Sequence, residues 1–470
     1  MKTIAIIGGG VAGSSTALAL AKKGLDVTLF EKESSLISGP PFCHLHAGGN
    51  LYREISDEQC LTLLKQSILF TRTYPYCVDY RPTVIAVPKR DKGSVEALLP
   101  RLKRLQSYYQ ALVEESNENQ CLGKPEQYYT LYSQEKIEAL KKEPIPSSPS
   151  SCDEWMISVA HNIDTTKVQF PLILVQEYGL NLFQLSAGLS LELEAMENVS
   201  LEYECEVHHI QKDSLGWELF YKNKEGVSHS KKFDYLINAT GFQTGRIDEM
   251  VQAPCCSMVE FKAAYVTHWE SRTSFPEIVF HGERGTPQGM AQFTPYPQGY
   301  FQLHGMTKEI TLYEDGLMKP QKRRCQAILP SHFQRKLKEG WEREELHQRT
   351  QNAINYLSYF IPSFASASVG GKPLYGVQQI PGNDPTLRVA EVSFPLPYYA
   401  RCEIVKVSSV SDMICSIEAS IFQEEKKPYK VVPSSIKISE KKRVALAKEI
   451  AKRRHYPEAM AEVCFTKPSL

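Results

Sequence analysis

The sequence has no net charge: its 470 residues include 54 lysines and arginines and 54 aspartates and glutamates. This balance argues against nucleic acid as the main partner, because phosphate backbones are bound by an excess of basic residues. The sequence also lacks any run of the roughly 18 uncharged apolar residues that a membrane span needs. The apolar run at its start has no clean small-residue cleavage pattern after it, which argues against a signal peptide.

The twelve cysteines are scattered, with no C-x-x-C spacing and one adjacent pair, Cys255 and Cys256. This distribution predicts neither a disulfide framework nor a zinc site, and no metal centre is expected. A reducing, cytoplasmic location fits it best. The length exceeds that of a single hydrophobic core, so two domains are expected.

The sequence does contain a glycine-rich turn, in "IAIIGGGVAG" at residues 4–13. The apolar run before it is typical of a buried parallel strand, and the apolar spacing after it predicts a helix. Gly8 permits a tight turn, Gly10 lets the backbone approach a pyrophosphate, and Gly13 allows close packing of helix on strand. The helix start at Val11 and Ala12 offers N–H groups to phosphate.

A second apolar run, Val27–Phe30, ends at Glu31. An acid roughly 20 residues after such a turn can accept hydrogen bonds from both ribose hydroxyls of a dinucleotide. With Lys32 beside it, Glu31 favours a ribose with a free 2′-hydroxyl over one with a 2′-phosphate. The two segments predict a dinucleotide-binding unit, a pattern that NAD and FAD proteins share.

The choice of cofactor depends on "FDYLINATG", residues 233–241, where an apolar strand ends in Ala239, Thr240 and Gly241. These small residues let backbone pass close to a ligand. Together with the first turn, this signature resembles the FAD-dependent oxidoreductases of the D-amino-acid oxidase superfamily. That group includes glycine and sarcosine oxidases, glycerol-3-phosphate dehydrogenase, L-2-hydroxyglutarate dehydrogenase and, more distantly, malate:quinone oxidoreductase. The resemblance implies FAD as cofactor and an α/β fold, with a Rossmann-type FAD domain and an interleaved α+β substrate domain on a mixed sheet.

The resemblance also implies an order of domains along the chain. We expect an FAD-binding domain from residues 1–77, 152–250 and 360–425, and a substrate domain from residues 78–151 and 251–359. The loop 147–151 would return the chain to the FAD domain. Residues 426–470 would form a C-terminal extension with a basic amphipathic helix, which either touches anionic lipid at the membrane surface or presents a solvated face.

Three further segments resemble parts of the family's FAD domain. The stretch from Ile163 resembles one in which an aspartate begins a long helix, and "VSLEYECEVHHI" resembles a strand ending near Val207, whose backbone would contact the adenine. "LRVAEVSF", from Leu387, predicts a strand. The following "YARCEIVKVSSVSDMICSIEASI" resembles the loop and last helix that serve the pyrimidine edge of the flavin. Arg401 or Lys406 could add positive charge there, or both could be surface cations.

"SGPPFCHLHAGGNLY", residues 38–52, has the composition of a loop. It resembles the H-A-G-x-Y-Y of L-2-hydroxyglutarate dehydrogenases and the H-G-G-x-R-Y of glycerol-3-phosphate dehydrogenases, a stretch that passes beside the flavin ring. Oxidation of an alcohol or amine needs a group that takes its proton, and histidine suits that task near neutral pH. We predict His46, ahead of His44, as this base and as a flavin contact; either could instead only bond its own loop. Cys43 or His44 could alternatively carry the flavin covalently.

The predicted function is FAD-dependent removal of a hydride from the α carbon of a small organic acid, with oxygen or a quinone as electron acceptor. The residue 38–52 stretch favours a 2-hydroxy acid; an amine or amino acid is the alternative, and a non-catalytic flavin-binding protein is a third. A carboxylate substrate needs a cation in the substrate domain, for which Arg81, Arg284 and Lys372 are the candidates. His304, on the predicted strand "GYFQLHGM", is a second catalytic candidate.

Overall fold

The computed structural model describes residues 2–39, 42–45, 55–212, 216–270, 273–320, 324–432, 436–463 and 465. Its helices are α1 (Val11–Lys22), α2 (Asp57–Thr73), α3 (Leu99–Glu115), α4 (Gln134–Leu140), α5 (Cys152–Asn162), α6 (Leu182–Glu194), α7 (Thr244–Val251), α8 (Ser331–Glu339), α9 (Arg343–Ser358), α10 (Val410–Phe422) and α11 (Glu440–Arg453).

The strands are β1 (Thr3–Ile7), β2 (Asp26–Phe30), β3 (Phe42–His44), β4 (Val78–Asp79), β5 (Thr83–Ala86), β6 (Tyr129–Tyr132), β7 (Leu172–Val175), β8 (Gly179–Asn181), β9 (Val199–Glu202), β10 (Glu206–Lys212), β11 (Trp217–Lys222), β12 (Ser228–Phe233), β13 (Tyr235–Asn238), β14 (Ser257–His268), β15 (Glu277–Phe280), β16 (Ala291–Pro295), β17 (Tyr300–Gly305), β18 (Leu317–Met318), β19 (Ser368–Val369), β20 (Leu374–Pro381), β21 (Val392–Leu396) and β22 (Tyr399–Cys402).

A six-stranded sheet has the order β21-β22-β13-β1-β2-β9 and is parallel except for β21. Its central strand β1 is an apolar run because both of its faces are covered. On one face, Ile4 and Ile6 pack with apolar side chains of α1 and α10. On the other, Ala5 and Ile7 pack with the three-stranded sheet β10-β11-β12.

A ten-stranded mixed sheet forms the second layer, and β14 is its longest strand. Its main path runs β18-β14-β17-β16-β15-β5-β7-β6, and β19 and β20 also pair with β14. One face is apolar and packs against α5 and α9, through side chains such as Tyr265, Phe293 and Leu303. The predicted mixed-sheet layer beside a Rossmann-type layer is therefore confirmed.

Sheet membership corrects two predicted boundaries. Helix α5 packs on the ten-stranded sheet and β7 is one of its strands, so the chain returns to the first layer after β7 and not at residue 152. Likewise β20 pairs with β14 along its whole length, so the second return follows β20 and not residue 360. Sequence could not show this, because strand pairing joins segments far apart in the chain.

Three segments also differ in detail from their predictions. "VSLEYECEVHHI" forms two strands, because the chain turns at Glu204 (φ 52°). The strand predicted from Leu387 begins only at Val392. Asp164 lies in a loop, where its carboxylate accepts a hydrogen bond from Thr166; the helix that follows this segment, α6, is capped instead by Asn181.

The C-terminal basic helix, α11, packs its apolar face inside the molecule. Its residues Ala447, Ile450 and Ala451 are buried in a cluster with Phe183 and Ala187 of α6. This face is therefore not available to a lipid surface. Among the described residues no helix combines the length and the apolar character required to cross a bilayer.

A disulfide joins Cys255 to Cys325, 70 residues apart. No framework was predicted because the spacing of the cysteines gave no signal for this bond. It ties the segment after α7 to the segment before α8.

Candidate functional site

The glycine turn joins the end of β1 to α1 in a conformation that side chains would obstruct. Gly8 has a φ of +100°, and a Cβ on it would lie 2.6 Å from the carbonyl oxygen of Ala239. A Cβ on Gly13 would lie 1.9 Å from the carbonyl oxygen of Gly8. These two glycines therefore allow the close packing of turn, helix and strand that a dinucleotide site needs.

Gly10 differs from them, because nothing lies within 4 Å of the position of its Cβ. It precedes α1, whose first intrahelical bond runs from Ser14 N–H to Gly10 O at 2.9 Å. The N–H groups of Val11, Ala12 and Gly13 thus have no acceptor within the helix and are available to an anion. Open space beside Gly10 and free helix N–H groups fit the pyrophosphate of FAD.

Glu31 is buried at the end of β2, and its carboxylate holds the same turn. One oxygen accepts from the N–H of Gly9 at 2.7 Å and the other from the N–H of Glu33 at 2.9 Å. Burial raises the pKa of Glu31 against these two hydrogen bonds, which lower it. Each carboxylate oxygen can accept a second hydrogen bond, so Glu31 keeps the capacity to bind the ribose hydroxyls. The ribose contact itself stays a prediction. Lys32 is half exposed and lies 3.7 Å from Glu33.

The Ala239–Gly241 segment lies beside the glycine turn. The N–H of Ala239 donates to Ile7 O at 2.8 Å, and Thr240 Oγ1 donates to Asn238 Oδ1 at 2.7 Å. Gly241 has a φ of +60°. The carboxyl ends of β1 and β13 thus meet at one edge of the six-stranded sheet, the edge at which open α/β sheets bind ligands.

The other predicted cofactor contacts have varied surroundings. Val207 is buried at the start of β10, opposite Tyr221. Arg401 is buried, so the surface-cation alternative is wrong for it; its guanidinium contacts Asp248 at 3.1 Å and Glu403 at 2.8 Å. Lys406 is half-buried in the loop before α10. Their contact with FAD stays a prediction.

The second face of the ten-stranded sheet carries many polar side chains that are buried, beside apolar ones such as Ala264 and Val266. The register of β14, β17, β16, β15, β5 and β20 places these polar side chains on one face: Glu260, Lys262, Gln302, His304, Gln292, Thr294, Glu277, Thr83 and Gln378. All but Gln378 are buried. A polar sheet face is ordinarily solvated, so a buried one indicates an internal site; we call it the polar face.

The polar face lies toward the six-stranded sheet. Gln378 Nε2 donates to the carbonyl of Val405 at 3.4 Å; the next residue of β20, Gln379, lies on the opposite face and donates to the carbonyl of Cys402 at the same distance. Cys402 is the last residue of β22, and Val405 lies just after it. The polar face therefore approaches the sheet edge that also carries the glycine turn, which makes the space between them the candidate active site.

The clearest charged cluster on the polar face is formed by Lys262, Glu260 and Arg284. Lys262 Nζ lies 2.7 Å from Glu260 and donates to Gln378 at 2.8 Å, while Arg284 donates to the other oxygen of Glu260. Burial is the main reason why the pKa of Lys262 falls to about 8, and Glu260 opposes the fall. Burial would raise the pKa of Glu260, but Lys262 and Arg284 outweigh it and lower this pKa. Two cations thus share one carboxylate.

The remaining predicted site residues lie apart from this cluster. Arg81 is buried and forms ion pairs with Asp79 at 3.3 Å and with Glu277 of the polar face at 3.5 Å; its contact with a substrate stays a prediction. Lys372 lies over the rings of Tyr375 and Tyr456.

The predicted base, His46, lies outside the described residues, and so do the side chains of Cys43 and His44. His304 is buried on the polar face, opposite Gln292 of β16. His304 is therefore the candidate base that lies among the buried side chains of the polar face.

A model of the "FAD dependent oxidoreductase" family, DAO, matches residues 3–367. The chain belongs to this family. It is an FAD-dependent oxidoreductase, and the open space beside Gly10 and the start of α1 fit the pyrophosphate of its cofactor. No curated protein matches its sequence.

Solved structures of low identity share the fold of this FAD-dependent oxidoreductase. Glycine oxidase from Geobacillus kaustophilus is 13% identical with a TM-score of 0.56, and the match covers 93% of this chain and 100% of that one. L-proline dehydrogenase from P. horikoshii is 15% identical, with a TM-score of 0.57 and coverage of 92% and 95%. The FAD-bound L-α-glycerophosphate oxidase from Mycoplasma pneumoniae is 14% identical, with a TM-score of 0.56 and coverage of 92% and 98%.

Sequence reasoning missed Gly9, Glu260 and Lys262. A Cβ on Gly9 would lie 2.7 Å from a methyl carbon of Leu36 and 2.9 Å from a carboxylate oxygen of Glu31, so this glycine, like Gly8, has no room for a side chain. Glu260 and Lys262 alternate with Phe261 and Ala263 along β14. That period of two was the available signal, but it could not tell a solvated face from an internal one.

Proposed function

We propose that this chain oxidises a small substrate that bears a carboxylate, an amino acid in the first place, at the carbon that bears its amine. The observation that carries the proposal is the cluster on the polar face in which buried Lys262 and half-buried Arg284 share the buried carboxylate of Glu260. Two cations for one carboxylate leave a positive charge that a substrate carboxylate can neutralise. Glycine oxidase and L-proline dehydrogenase, which share the fold, support an amine substrate.

The chain's own residues bind the substrate and exclude water from it. FAD, when bound, supplies the acceptor for the hydride of the substrate. Lys262 and Arg284 bind and orient the substrate carboxylate. Burial of the polar face excludes water and strengthens these electrostatic contacts.

A 2-hydroxy acid is the second candidate, and His304 favours it. A hydroxyl is a far weaker acid than an ammonium group, so its oxidation depends on a positioned base. The imidazole of His304 on the polar face is suited to take that proton near neutral pH. The resemblance of residues 38–52 to L-2-hydroxyglutarate dehydrogenases supports the same candidate.

Anaerobic bleaching of the flavin tests both candidates. The purified protein is mixed, without oxygen, with a panel of amino acids and the 2-hydroxy acids of the same carbon skeletons, and absorbance near the flavin maximum is followed. Bleaching by an amino acid alone supports the first candidate, and by its hydroxy partner alone the second. If no member of a broad panel bleaches the flavin, the proposed function is wrong. Readmission of oxygen or addition of a soluble quinone then identifies the acceptor.

A further inference from the structure

The loop 36–39 comes a few residues after Glu31 and is held by a row of side-chain hydrogen bonds to its carbonyls. Its four consecutive carbonyls all accept hydrogen bonds from side chains outside the loop. Ser186 of α6 donates to Leu36 O at 2.6 Å. The guanidinium of Arg454 donates to the carbonyls of Ile37, Ser38 and Gly39 at 3.1, 2.8 and 2.5 Å. One planar fork therefore fixes three successive peptide groups, which a lysine could not do.

This loop in turn supports the glycine turn. The N–H of Ile37 donates to Gly9 O at 2.8 Å. Ile37 itself has a φ of 54°, a backbone conformation that is costly for a branched residue. The side chain of Leu36 fills the space next to Gly9. The shape of the turn therefore depends on where the loop is held.

Arg454 belongs to the C-terminal extension, directly after α11. Its side chain is half-buried, desolvation lowers the pKa of its guanidinium, and the guanidinium lies over the rings of Phe183 and Tyr456 at 5.4 and 5.8 Å. The extension is docked on α6 by further bonds: Asn181 donates to the carbonyls of Met460 and Glu462.

We propose that the C-terminal extension is part of the cofactor-binding machinery, with Arg454 as the positioning residue that holds loop 36–39 and, through it, the Gly9 turn in the shape that accepts FAD. The extension lies beyond residues 3–367, which the family model matches. Because coupling between two binding events is reciprocal, FAD binding and docking of α11 stabilise each other.

The test compares Arg454→Met and Arg454→Lys with Arg453→Met. Arg453 is the matched control, because it is the preceding residue, is 45% exposed and pairs with Glu449 of the same helix. FAD is titrated into each apoprotein and its affinity is read from fluorescence. We expect Arg454→Met to weaken FAD binding about tenfold or more, Arg454→Lys to fall between it and wild type, and Arg453→Met to stay within about twofold of wild type. Equal FAD affinity in wild type and Arg454→Met overturns the proposal.

A second measurement needs no variant and decides the matter if Arg454→Met does not fold. Hydrogen exchange of the amides in residues 447–456 is followed in the wild-type apoprotein and after saturation with FAD. The proposal expects slower exchange with FAD bound. Identical exchange in the two states contradicts it. Neither readout involves turnover, so the result is independent of the proposed substrate.

Discussion

Gly13→Ala should destabilise the folded protein even in the absence of FAD. The added Cβ would lie 1.9 Å from the carbonyl oxygen of Gly8, and the atom it meets is backbone, which cannot rotate away. Alanine gains about 1 kcal/mol of helix propensity over glycine within α1. Overpacking of a well-packed site costs about 1–3 kcal/mol and occasionally more, and a contact this short belongs at or beyond the upper end. We expect a net loss of about 2–3 kcal/mol.

Thermal unfolding of the apoprotein measures this loss. At about 2–4 °C per kcal/mol for a unit of this size, the midpoint should fall by roughly 4–12 °C. Gly10→Ala is the control, since nothing lies within 4 Å of its Cβ position. It should leave the apoprotein midpoint nearly unchanged and weaken FAD binding, because its methyl group points into space assigned to the pyrophosphate. Gly10→Val should abolish FAD binding while the chain still folds.

The contrast between the Gly13 variant and the Gly10 variants is the decisive result. If Gly13→Ala melts with wild type, the close approach of helix and turn is not as described. If Gly10→Ala or Gly10→Val keeps full FAD affinity, the phosphate does not lie beside Gly10, and the assignment of the cofactor to this turn is wrong.

Three further predictions concern charge and covalent links. Lys262→Met should weaken binding of a substrate carboxylate. In wild type that affinity should fall as pH rises through about 8, because the ammonium group of Lys262 loses its charge there. A pH titration of substrate affinity that gives the same profile for wild type and Lys262→Met would refute this role. Arg81→Met should cost about 3–5 kcal/mol in denaturant unfolding, because it removes a cation that lies between the buried carboxylates of Asp79 and Glu277. Lys308→Met, which removes an exposed partner of Glu314, should be nearly neutral. Cys325→Ser should lower the free energy of unfolding by about 4 kcal/mol, since the bond to Cys255 closes a loop of 70 residues. If Cys325→Ser and wild type gave the same unfolding curve under oxidising conditions, this prediction would be wrong.

Local sequence patterns determined the first layer of this protein. A strand, a glycine turn, a helix and an acid at the end of the next strand lie within 31 consecutive residues, so their spacing alone predicts how they meet. The A-T-G strand is distant in sequence, but its apolar run and small residues carry their own signal, and parallel pairing brings Ala239 to the glycine turn. Fold class, family and cofactor could therefore be predicted from the chain.

The substrate side was decided by tertiary structure. Whether Arg81 meets a ligand or a buried carboxylate depends on Glu277, almost 200 residues away, and whether Lys262 faces solvent or the interior depends on which layer covers its sheet face. The same holds for Arg454, which the sequence presents as one of several basic residues on a helix but which the fold brings to the carbonyls of residues 37–39. A sequence pattern records the period of a strand or helix, whereas the partner on each face is set by chain segments whose meeting leaves no mark on local spacing.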